Sequence, residues 1–280
     1  MRYLPLVAAL ISTSALGQVP GGAPIQPPTA ASTAGDPVAA VDPMIGTGGE
    51  GHTFPGATAP FGMVQLSPDT DATCEIRKCY SHAAGYRYED PTIQGFSHTH
   101  FSGAGHSDLG DILVMPQAGD TVRYDPGDPA QPLSGYRSRF SHAGEKARPG
   151  YYAVTLTDSG IAAELTAGIR VGVHRYRFPA GQAAHLLLDL RSSLYDYPGK
   201  ILWSGLHLRA DGTLTGFRET RGWAPGRKLF FAMRFSAPLT DHAFLDRDPS
   251  VAYKGFQAPG LTLWPRSWAR RWRPGSTSAC

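Results

Sequence analysis

From residue 150 onward, short runs of strand-forming residues follow one another, at 152–157, 161–167, 170–178, 185–190, 201–208 and 228–235. In 171–178 apolar residues recur two apart, at Val171 and Val173 and at Tyr176 and Phe178, which predicts a pleated strand with Val171 and Val173 on the core face. The same phase sends His174 to solvent. Asp158-Ser159-Gly160 and Asp211-Gly212 supply turn chemistry, the second as a tight hairpin joining His207-Leu208 to Thr213-Leu214. Phe230, Phe231 and Phe235 are expected in the core, and His207 is expected to play no special part. These signals predict an all-β fold, an antiparallel β-sandwich.

Composition narrows the field. Of 280 residues 41% are hydrophobic, enough for a substantial core. Gly 33 and Pro 24 occur without a collagen period, which means many turns and excludes a bundle of long helices. The net charge of +3 comes from the last residues, since Arg266, Arg270, Arg271 and Arg273 have no acidic neighbour there. The rest is nearly neutral, so its charge favours neither nucleic acid nor an anionic membrane.

The ends read differently from the middle. Residues 1–17 resemble a secretory signal, with Arg2, an apolar run from Leu4 to Leu16, and small residues around Ala15-Leu16-Gly17. The expected location is therefore exported, periplasmic or secreted. That run is too short for a membrane span, which needs about 20 apolar residues. Residues 18–40 read as a flexible linker and 41–263 as the folded domain. Residues 264–280 form an anomalous basic tail with no strand or helix period, expected to arise from a shifted reading frame. Cys74 and Cys79 are spaced for a small disulfide loop, which leaves Cys280 over.

Candidate chemistry lies between Val41 and Pro116, where five of the ten histidines fall: His52, His82, His98, His100 and His106. The glycines of 45–57 permit positive φ and close approach to a ligand, but no lysine follows them as a phosphate loop requires. In 95–111, His98 and His100 would share a strand face and His106 with Asp108 would return from a glycine-rich turn. That pattern suits a metal site, a polar network fixing the turn, or contacts to sugar hydroxyls. His142 and Glu145 are expected to meet only as an exposed loop contact.

The motifs Val41-Asp42-Pro43-Met44-Ile45-Gly46-Thr47-Gly48, Gly51-His52-Thr53-Phe54-Pro55-Gly56-Ala57, Pro60-Phe61-Gly62-Met63-Val64-Gln65-Leu66-Ser67-Pro68-Asp69 and the whole of 95–110 carry a resemblance. They are similar to the N-terminal domain of glycoside hydrolase family 92, and the likeness extends over roughly 41–235. The resemblance implies an exported, exo-acting, calcium-dependent α-mannosidase that inverts the anomeric configuration. It also implies a β-sandwich placed before an (α/α)6 catalytic barrel that supplies both catalytic carboxylates and most or all calcium ligands. That barrel is absent from this sequence, so the chain is expected to be inactive alone and to bind no calcium by itself.

By the same resemblance the sandwich contributes part of the sugar pocket, through His52, Tyr86, His98, His100 and Asp108. Tyr86 or Tyr88 would offer a ring face. Cys74 to Tyr80 stands where the family often has tryptophan, which leaves linkage preference open. The implied partners are α-mannosides or mannose-containing glycans, together with a separately encoded barrel. The rival readings are a carbohydrate-binding module without hydrolysis and a metal-dependent enzyme using His98, His100 and His106. Without the barrel, the face that packs on it is expected to be an exposed apolar patch.

Overall fold

The strands of this protein pair antiparallel throughout, as seen in a computed structural model that describes residues 36–72 and 80–245 and the backbone of 267–272 and 278–279. Residues 1–17, most of the 18–40 segment, Cys74, Cys79 and Cys280 lie outside the described residues. In chain order the strands are β1 (Ala57–Thr58), β2 (Gln65–Asp69), β3 (Thr92–Ile93), β4 (Gly95–Ser97), β5 (Leu113–Ala118), β6 (Ser138–Arg139), β7 (Lys146–Arg148), β8 (Tyr151–Leu156) and β9 (Ile161–Ala167). They continue with β10 (Gly172–Arg177), β11 (Ala184–Asp189), β12 (Ile201–Leu208), β13 (Leu214–Thr220), β14 (Arg227–Met233), β15 (Asp241–Leu245), β16 (Ser267–Trp272) and β17 (Ser278–Ala279). Helix among the described residues is limited to short 3-10 turns.

Seven strands form one sheet in the order β1-β2-β4-β5-β11-β16-β15, and five form another in the order β17-β10-β9-β8-β7. Leu66, Phe96, Leu113 and Met115 of the first meet Tyr152, Val154, Leu165 and Tyr176 of the second in one buried cluster. The fold is thus the β-sandwich that alternation predicts. A three-stranded sheet, β12-β13-β14, adds Leu206 and Leu214 to that cluster. Its first hairpin turns at Asp211 and Gly212 (φ +79°), closed by Arg209 N–H donating to the Thr213 carbonyl at 2.9 Å.

Three details depart from the sequence pattern. His174 is buried rather than solvent-facing, because β10 takes its phase from Tyr176 and Phe178, which share its parity, and not from Val173. Val171 is exposed in consequence. In β14 the inward positions are Leu229, Phe231 and Met233, so Phe230 points outward at 74% exposure against Phe217, while Phe231 and Phe235 pack on the core. The backbone of 267–272 forms a strand hydrogen-bonded on both sides, to β11 and β15, although that segment has no strand period. Ladder bonding uses backbone groups only and needs no alternation of side chains.

Phe61 and Met63 are exposed beside exposed Ile169 and Val171, tied together by Met63 N–H donating to the Ile169 carbonyl at 2.7 Å. They form an apolar patch at one edge.

Candidate functional site

The segment between β4 and β5 is a loop that ends its strand at Ser97, so His98 and His100 are not held on a common strand face. Its path requires positive φ at Gly103, Leu109, Gly110 and Ile112. At Gly110 (φ +69°) a Cβ would stand 2.7 Å from the Leu194 backbone nitrogen, so only glycine fits. Leu109 and Ile112 accept the strained conformation because the loop is pinned from below.

Those pins are buried polar groups. The Nδ1 of His100 donates to the Gln65 carbonyl at 2.7 Å, and its Nε2 meets Asp69 Oδ1 at 2.8 Å and Ser97 Oγ at 3.1 Å. Asp111 accepts from Thr99 Oγ1 at 2.6 Å and from Arg227 at 2.8 Å, and Arg218 Nε lies 3.4 Å away. Burial alone would raise the Asp111 carboxyl, but the Arg218 and Arg227 guanidiniums outweigh it and hold the group below the usual carboxylate range. Asp108 is buried too, with Oδ1 on the Lys200 ammonium and Oδ2 accepting from Trp223 N–H at 3.0 Å. There also burial opposes ionisation, and Lys200 with the Trp223 amide prevails.

His98 belongs to a separate chain. Its Nδ1 donates to the Ile112 carbonyl at 2.7 Å, which leaves Nε2 to accept from His174 Nε2 at 3.0 Å. His174 Nδ1 then accepts from the Tyr176 hydroxyl at 2.7 Å. Every hydrogen in this row is assigned if both rings are neutral. Burial supports that state: it pushes His98 down to about 4 and His174 well below its usual value. The loop's histidines are therefore not gathered as ligands, and His106 is exposed, with Nδ1 on the Ser107 carbonyl at 2.9 Å. Among the described residues no group of three or more His, Cys, Asp or Glu side chains is placed to hold a metal ion. Asp69, Asp108 and Asp111 each face a histidine, lysine or arginine, a donor set that does not suit calcium.

Above these pins a continuous surface assembles from segments distant in sequence. Tyr88 N–H donates to the Thr47 carbonyl at 3.0 Å, Gly49 N–H to Glu89 Oε1 at 2.9 Å, and Gly103 N–H to the His52 carbonyl at 2.7 Å. His52 sits at φ +54°, with Nε2 3.2 Å from Glu50 Oε2 and its ring edge-on to Tyr80. Tyr86 is buried, and its hydroxyl donates to Glu145 Oε2 at 3.0 Å. Glu145 also accepts from Tyr152 at 2.6 Å and meets His142 Nδ1 at 2.7 Å. This corrects the expected exposed contact, because the Glu145 side chain is only 3% exposed. His142 in turn donates from Nε2 to the Tyr88 carbonyl at 2.8 Å and stacks on the Tyr88 ring at 3.9 Å, presenting that ring at the surface.

On the other side of the loop is a group that motif reading missed. Trp223 is 58% exposed, with Phe101 at 5.2 Å and His106 at 5.7 Å between ring centroids, and Tyr195 lies 5.7 Å beyond His106. Its backbone is fixed by Asp108, so a buried ion pair supports an exposed aromatic cluster. The only signal in the sequence was an isolated Trp between glycine-containing turns, more than a hundred residues from its partner.

The chain matches the N-terminal domain of glycosyl hydrolase family 92 over residues 40–262. It is similar to a solved α-mannosidase of that family from Bacteroides thetaiotaomicron in complex with mannoimidazole, at 37% identity and a TM-score of 0.75, covering 86% of this chain and 31% of that one. A second solved glycosyl hydrolase of the family aligns at 28% identity and a TM-score of 0.68, over 87% of this chain and 32% of that chain. An uncharacterized secreted glycosidase of Arthroderma benhamiae is 32% identical over 160 residues, which is 55% of this chain and 19% of that protein. The chain thus spans about a third or less of the length of these relatives.

Proposed function

Because this chain belongs to glycoside hydrolase family 92, as an instance of its N-terminal domain, we propose that it forms the sandwich-side wall of a mannose-binding pocket in an exported α-mannosidase. The observation that carries this is the stitching of 46–53, 81–90 and 98–108 into one surface bearing exposed aromatic rings. Aromatic faces suit the apolar face of a sugar, and neighbouring hydroxyl, imidazole and backbone groups suit its hydroxyls. Export is supported by the apolar run behind Arg2 and by the secreted glycosidase among the relatives.

In this proposal sugar contact falls to Trp223, Tyr88 and His106, while His52, buried against Tyr80 with Nε2 on Glu50, holds the glycine-rich loop in place. Tyr86, His98, His100 and Asp108 are positioning residues, since their polar atoms already hold protein partners. Hydrolysis with inversion needs one carboxylic acid kept neutral and one carboxylate activating water, roughly 6.5–9.5 Å apart. Asp108 and Asp111 are held ionised by cations, the opposite of what a general acid requires. The proposal accordingly gives Asp108 and Asp111 no part as general acid and assigns the chain by itself binding without hydrolysis. Calcium, which the resemblance implies for the complete enzyme, is left to residues outside this surface, and no step here depends on it.

The test is titration of the purified chain with α-linked mannobiose by calorimetry, alongside an assay for free mannose with added calcium. Binding is expected without mannose release, and Trp223→Ala is expected to weaken it about tenfold, the effect of losing roughly 1.4 kcal/mol. Undiminished binding by Trp223→Ala, or calcium-dependent release that Asp108→Ala abolishes, would sink the proposal.

A further inference from the structure

A trough crosses the outer face of the five-stranded sheet. Strand register aligns Lys146, Ala153, Glu164 and Arg175 in one cross-strand row, and Arg148, Tyr151 and Thr166 in the next. Directly paired residues project to the same face, and Arg177, two positions beyond Arg175, joins them. The small Ala153 leaves its row unfilled. The resulting depression has a volume of about 400 Å³ and is lined by Lys146, Ala147, Arg148, Tyr151, Glu164 and Arg175. Clefts for small ligands fall in the range of about 300–1,000 Å³.

Its charge is unbalanced. Among the described residues Glu164 is the one carboxylate facing the cations, and it is fully engaged: it accepts from Tyr151 Oη at 2.8 Å, from Arg175 at 2.6 Å through two nitrogens, and lies 3.1 Å from Arg177. Those hydrogen bonds, Arg175's foremost, lower its carboxyl to about 2, so it stays ionised. Lys146 and Arg148 have no carboxylate partner among the described residues. Arg148 instead lies over the Tyr151 ring, 4.8 Å from its centroid. Cross-strand ion pairs of a solvated sheet account for Glu164, Arg175 and Arg177. They leave the two cations on β7 unexplained, side by side at the lip of a cleft.

We propose that this trough binds an acidic saccharide, a sugar carrying a carboxylate or sulfate group, with Lys146 and Arg148 contacting the oxoanion. The guanidinium fork of Arg148 matches two oxygens of such a group, Lys146 adds a point charge, and the Arg175–Glu164 pair offers fixed polar atoms for hydroxyls. That the ligand is a saccharide rests on the glycan-directed function proposed above. The preference for an anion rests on the trough alone.

The experiment is calorimetric titration of the chain with a glucuronate-containing disaccharide, a sulfated mannobiose and neutral α-mannobiose, at low and high salt. The acidic probes are expected to bind, more weakly at high salt, and the double variant Lys146→Gln/Arg148→Gln to lose at least about tenfold in affinity. Both side chains are exposed, so the variant keeps its fold, checked by circular dichroism. Trp223→Ala is expected to bind the glucuronate-containing disaccharide as well as the parent chain does. Acidic probes binding no tighter than neutral mannobiose would overturn the proposal. So would equal binding by the double variant, or loss of glucuronate-disaccharide binding in Trp223→Ala instead. Binding of the acidic probes with no binding of neutral mannobiose would support the trough while counting against the mannose-binding surface.

Discussion

Asp111 shows how a single buried charge organises the surface loop. It is fully enclosed, yet two arginines from the three-stranded sheet and one threonine hydroxyl from its own loop converge on it. Arg218 is equally enclosed and carries its second interaction to the Ser192 carbonyl at 2.6 Å. Removing one member of such a pair leaves a charge without compensation in a low-dielectric site. Asp111→Asn is therefore expected to destabilise the protein by roughly 3–5 kcal/mol, read as a lower urea midpoint, with Arg218→Met recovering part of the loss in the double variant. The carboxylate was visible in the motif around 95–111. Its guanidinium partners were not, because they lie more than a hundred residues on and nothing local marks Arg218 as buried.

Strands and loops differ in how their sequences declare them. β8 and β9 alternate cleanly because one face packs on the opposing sheet and the other meets solvent. β11 is buried along its whole length between two neighbours, so its middle, Leu186-Leu187-Leu188, is apolar without alternating. β10 alternates in two phases, Val171 and Val173 against Tyr176 and Phe178, and the sequence contains no rule for choosing between them. The larger aromatic side chains win, and His174 enters the core with them because His98 and Tyr176 satisfy both its nitrogens. Before residue 150, β1, β3, β4 and β6 are only two or three residues long, too short to show a period, while the longer β2 and β5 are interrupted by Pro68 and Pro116, which read as strand breakers. At the loop itself, Gly110→Ala combines positive φ with a clash against Leu194. It is expected to cost about 1–3 kcal/mol from backbone strain alone, seen as a fall in melting temperature, and to weaken mannobiose binding by displacing Asp108. An unchanged melting temperature would show that the loop tolerates a different path.

For the whole molecule, buried histidines set the response to acid. His98 and His174 stay neutral when folded but take up protons near pH 6.5 when unfolded, so stability rises with pH across that interval and falls as pH drops from 6.5 toward 4. His82 acts in the opposite sense: burial disfavours its charge, but Asp90 at 2.6 Å outweighs this and raises it, so its contribution is lost as pH rises. Burial also raises the carboxyls of Asp189 and Asp196, which act in the same sense as His82, so the row is read by comparison: between pH 6.5 and 4 the urea midpoint of the parent is expected to lose more than that of His98→Gln. An equal change in the two proteins over that range would contradict the neutral row. The depressed carboxyls of Asp108 and Asp111 add their loss only below their ordinary value of 3.8.

The all-β class, the strand runs after residue 150, the Asp211-Gly212 hairpin and, through long motifs, the family are all legible along the chain. Each of these depends on residues close together in the chain, through period, turn chemistry or contiguous identity. Which polar residues of the motifs face outward and which are consumed as pins follows from packing in three dimensions. Packing also brought Trp223 over Asp108 and aligned Lys146 and Arg148 beside Glu164 and Arg175. Burial and pairing are properties of chain segments meeting in space, and a motif names the residue without naming what will cover it.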